Sequence, residues 1–77
     1  MISDPDKAKA LLDLLFQASG TLDTSVAVAQ DACAESEFLA YRRVIGNVLG
    51  EMWDEVIQPL LRKHPHLTPE ALRSSDG

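Results

Sequence analysis

With 77 residues and a formal net charge of -5, from twelve acidic against seven basic side chains, the chain has room for one domain. Its acidic balance repels phosphate backbones and anionic bilayers, so neither nucleic acid nor membrane is expected as a partner. One cysteine, Cys33, excludes an internal disulfide.

The first helix opens at Ser3-Asp4-Pro5-Asp6. Ser3 or Asp4 can accept hydrogen bonds from the free N–H groups of the first turn. Pro5 suits the first helical position, and Asp6 favours the positive end of the dipole. Ala8, Leu11, Leu15, Ala18, Leu22, Val26, Ala29 and Cys33 then recur at three- and four-residue intervals, with Leu12, Leu14 and Phe16 widening the stripe. Ser19-Gly20 is the one break signal inside it. Glycine costs about 1 kcal/mol in a helix interior, and the stripe keeps its phase across Gly20. The spacing predicts one helix over residues 5–33; the alternative is a break at Gly20 into two.

The second helix is predicted over residues 35–64. Glu35 and Glu37 place acid at its start, and Arg62, Lys63 and His64 place positive charge at its end. Phe38, Tyr41, Ile45, Val48, Leu49, Met52, Trp53, Val56, Ile57 and Leu60 run along it. Pro65 blocks continuation, and Pro59 should kink or tighten the last turn because it lacks a backbone donor. Thr68-Pro69-Glu70 is a second helix start, so a short turn is expected over residues 69–73, with Leu67 tucked against the core and a frayed tail at 74–77.

These elements define an all-α protein: an antiparallel hairpin of two long helices, joined near Ala34, plus a short C-terminal turn. Chains of this size bury only ~60% of their unfolded surface. On a regular helical wheel the apolar arc of the second helix exceeds what one partner helix can cover. A homodimer forming a four-helix bundle is therefore expected. Gly46 and Gly50, one turn apart, offer a place where a helix of the second copy could approach closely.

Few residues suggest chemistry. Arg42 projects by phase among Phe38, Ile45, Leu49 and Trp53, so it is expected to be buried and bonded to Asp23, to Gln30 or to a carboxylate of a second copy; otherwise it would bind an anionic ligand. Tyr41 and Trp53, the single residues of their kinds, are candidate binding anchors. His64 and His66 are too few for a metal site and read as a solvated helix end. Cys33 reads as a buried, inert thiol. Glu51, Asp54 and Glu55 read as a solvated face. No phosphate loop, nucleophile motif or zinc motif occurs, and no cofactor or metal is expected.

The run from Glu37 to Gly50, EFLAYRRVIGNVLG, resembles small bacterial helical proteins that carry no assigned function. The resemblance covers most of the chain and implies no activity and no site. The N-terminus lacks the basic start and apolar core of a signal peptide, so a cytoplasmic location is expected. Two function classes follow. One is an acidic homodimeric module that binds an unidentified protein partner, as an accessory subunit or inhibitor does. The other is an anionic-ligand binder or enzyme with a pocket at the dimer interface around Arg42.

Overall fold

A computed structural model describes residues 1–69. Helix α1 spans Pro5–Ala32 and helix α2 spans Glu35–Met52. A π-helical turn, Trp53–Ile57, links α2 without a break to α3, Gln58–Lys63. A 3₁₀ turn, Pro65–Leu67, follows. The chain is a hairpin: α1 runs one way, and α2 with its π turn and α3 forms the returning rod. No strand occurs among the described residues. The expected helical turn at 69–73 and the tail at 74–77 lie outside them, apart from Pro69.

The N-terminal cap is Asp4, whose Oδ1 accepts from the backbone N–H groups of Asp6 (2.9 Å) and Lys7 (3.3 Å). α1 then continues through Gly20 for 28 residues. The polar stretch around Gly20 is absorbed by the helix itself. The hydroxyls of Ser19, Thr21 and Thr24 each donate to the carbonyl four residues back, and Ser25 donates to Leu22. Such back-bonding satisfies the hydroxyls without breaking the ladder. The joint needs no glycine, because Cys33 and Ala34 are both extended with negative φ.

The two rods pair in a definite register. The Tyr41 hydroxyl lies 2.8 Å from Ser25 Oγ, and His64 Nε2 lies 2.7 Å from the carbonyl oxygen of Ile2. In both contacts the paired residue numbers sum to 66. By that register Arg42 lies level with Thr24.

The effect of Pro59 is to widen the rod rather than merely to bend it. In an α-helix, residue 59 would donate its N–H to the carbonyl of Glu55; proline has no N–H, and its ring crowds that carbonyl. The backbone answers with the wider turn immediately before it, in which the Gln58 N–H reaches back five residues to the Trp53 carbonyl. One residue is in effect inserted, so downstream side chains are displaced by about 100° around the axis. Before the turn the inward residues are Phe38, Ile45, Leu49 and Met52; after it they are Ile57, Leu60, Leu61 and His64. A straight wheel sets these two stripes side by side, and part of the apparent over-wide apolar arc arises that way.

The core sits at the open end of the hairpin, where the N-terminal segment meets α3. Ala8 and Leu12 of α1 pack with Ile57, Leu60 and Leu61; Ile2, Leu15, Phe16, Trp53, Val56 and Leu67 close around them. Toward the joint α1 and α2 lie close together with no further described element covering them, and α2 contains no buried residue. Two sequence expectations change here. His64 is 6% exposed rather than solvated, because the phase shift turns it inward against the N-terminal segment. Cys33 is exposed rather than buried, because α1 ends at Ala32 and the thiol sits on the joint, beyond the interhelical packing.

Candidate functional site

The hairpin has two broad sides, and neighbouring residues of α2 divide between them. Tyr41 lies on one side. Its ring is partly exposed, and its hydroxyl crosses to Ser25 of α1. It lines an open hollow of about 540 Å³ with Ser25, Val28, Ala29, Ala32, Cys33 and Glu37. Arg42 follows about 100° further round the helix. It lines a different, shallow groove with Leu39, Arg43 and Gly46.

The Tyr41 side is apolar along most of its length. Leu11, Leu14, Ala18, Ser25, Val28 and Ala32 are spaced by three, four or seven residues and form one stripe of α1. Tyr41, Val44 and Val48 form the matching stripe of α2. Leu11, Leu14, Val28, Tyr41, Val44 and Val48 are all exposed, Leu14 and Val28 to about 60%. Glu37, Glu51 and Glu55 extend the α2 stripe at its two ends. Elsewhere, charge is solvated: the one ion pair among the described residues is Lys9–Asp13, within the exposed surface of α1.

Arg42 is exposed, not buried, and has no carboxylate within 4.0 Å among the described residues. The reason is geometric. Its wheel position lies at the edge of the apolar stripe, and α1, although close, shields only the residues that lie between the two helices. Asp23 and Gln30 are likewise exposed. Trp53 is half-buried and packs against the terminal core, away from both hollows. Tyr41, Arg42 and Trp53 are thus not brought into one pocket. Gly46 and Gly50 face open space: a Cβ at either would meet nothing within 4 Å.

His64 is the feature that residue spacing could not reveal. Its ring meets the Ile2 carbonyl on one edge and stands at 87° to the His66 ring, centroids 6.0 Å apart. With Nε2 protonated it donates to that carbonyl and fastens the N-terminal segment to the end of α3. Among the described residues no cluster of histidine, cysteine or carboxylate side chains could hold a metal ion. Among the described residues no helix is long and apolar enough to cross a membrane. The chain matches no protein-family model, and neither the curated proteins nor the solved structures yield a match.

Proposed function

We propose that the protein is a small acidic interaction module that works as a homodimer and acts by binding another protein rather than by catalysis. One observation carries this reading: six large apolar side chains lie exposed on a single side of a hairpin whose own core is confined to one end. Contiguous apolar surface of that kind marks a contact site. Sedimentation equilibrium tests the dimer. A dimer at micromolar concentration supports the reading, and a monomer that unfolds cooperatively under the same conditions refutes it. Affinity capture from the native host, followed by mass spectrometry, tests the partner.

A second reading draws on a separate observation. Arg42 and Arg43 line one groove and have no carboxylate within ion-pair distance among the described residues. Two guanidinium groups so placed suit a carboxylate or phosphate ligand. Isothermal titration with inorganic phosphate and citrate tests it. Binding that disappears in Arg42→Gln supports an anion site, and silence with both anions removes it.

A further inference from the structure

We infer that the Tyr41 side, not the side bearing Gly46 and Gly50, is the surface on which a second copy of this chain seats, and that the two copies stack with their ends reversed. This inference rests on the homodimer proposed above and names its interface.

The size is sufficient. The molecule measures 44 × 27 × 16 Å, so its broad side fits within a rectangle of roughly 1,200 Å², which has room for the ~800 Å² per partner of a stable interface. The chemistry is suitable. Between Ala8 and Gln30 the exposed stripe of α1 on this side carries no charge, and Tyr41, Val44 and Val48 continue it across α2. The charges of this side, Glu37, Glu51 and Glu55, lie at the two ends of the α2 stripe, whereas the opposite side sets Arg42 and Arg43 together in one groove with Leu39 and Gly46; covering either set costs desolvation.

The relief of the surface sets the orientation. Toward the termini it bears the projecting side chains Leu11 and Leu14. Toward the joint it is hollowed: small side chains, Ser25, Ala29 and Ala32, line the 540 Å³ depression together with Val28 and Tyr41. A surface with a ridge at one end and a hollow at the other matches itself under a two-fold axis that runs across the hairpin and exchanges the ends. The leucines of each copy then enter the hollow of the other. Stacking with the ends aligned would set hollow over hollow and leave a void, which close-packed interiors avoid. In the reversed arrangement the two Cys33 thiols lie at opposite ends of the bundle, a large fraction of 44 Å apart.

Sedimentation velocity on the wild type, Leu14→Glu, Val28→Glu and Gly46→Leu tests the face. Leu14 and Val28 are exposed in the hairpin, so their substitution spares its own core. Both glutamate variants should weaken dimerisation about a hundredfold or more, with helical circular dichroism retained, while Gly46→Leu dimerises as the wild type does. Copper-phenanthroline oxidation of the wild-type dimer tests the orientation and needs no substitution. The reversed stack yields no disulfide-linked dimer, whereas a Cys33–Cys33 cross-link within the dimer overturns it. A wild type that is monomeric defeats the homodimer itself. A dimeric wild type that survives both glutamates but is split by Gly46→Leu defeats only the assignment of the face.

Discussion

Leu60→Ala probes whether stability resides at the terminal end of the hairpin. Leu60 is 1% exposed and sits among Ala8, Leu12, Ile57 and Leu61. Truncating a leucine so enclosed removes its transfer free energy and leaves a cavity, together costing about 2–5 kcal/mol. At the usual density of stability per residue, a chain of 77 residues holds only about 4–12 kcal/mol in total. The substitution therefore removes a sixth of the stability at the least and all of it at the most. Leu39→Ala is the control: Leu39 is 48% exposed, and its truncation should change stability by less than about 0.5 kcal/mol. Urea titrations followed by circular dichroism at one fixed protein concentration give both values, the fixed concentration being needed because dimerisation adds to apparent stability. With a urea slope near the low end of the small-protein range, about 1 kcal/mol/M, the Leu60→Ala midpoint falls by about 2 M or more. Equal losses for the two variants, or a Leu60→Ala loss below about 1 kcal/mol, would refute a core concentrated at the open end of the hairpin.

Three further outcomes follow from the local geometry. Gly20→Ala should stabilise the protein by about 0.5–1 kcal/mol in the same titration, since a Cβ there meets nothing within 4 Å and the backbone is already helical; destabilisation would mean that α1 does not run straight through that position. Asp4→Ala should cost about 1 kcal/mol by removing the acceptor for two first-turn N–H groups, and Asp4→Ser should recover most of it. Each chain carries a net charge of -5, so two copies repel, and raising sodium chloride should tighten the dimer in sedimentation experiments; weakening with salt would point to attractive ion pairs across the interface instead.

The hairpin itself was legible in residue order. Asp4-Pro5-Asp6 starts α1, the three- and four-residue recurrence of apolar side chains carries it past Gly20, and Pro65 follows the end of the second rod at Lys63. These are local effects, fixed by propensity, capping and periodicity, and they act whatever the rest of the chain does. The unbroken passage through Gly20 was legible for the same reason: the stripe holds its phase, and the nearby hydroxyls have carbonyls one turn back to bond.

The candidate site was much less legible. A wheel reports an angle around one axis, but exposure depends on how many elements cover that angle. Arg42 and Cys33 have positions that suit burial, yet both are exposed, because α1 alone shields only the middle of the α2 stripe and α1 stops one residue short of the thiol. His64 has a position that suits solvent, yet it is buried and bonded to Ile2. A missing N–H at Pro59 signals trouble in the ladder, but whether the rod bends, tightens or widens depends on which answer lets Ile57, Leu60 and Leu61 meet Ala8 and Leu12. Sequence alone thus determined two long amphipathic helices folded back on each other, because those features need only near neighbours. The tertiary structure decided the rest: the register of 66, the phase shift before α3, the core at the open end of the hairpin and the apolar side left uncovered. Each of these is fixed by packing between residues far apart in the chain, where local periodicity carries no information.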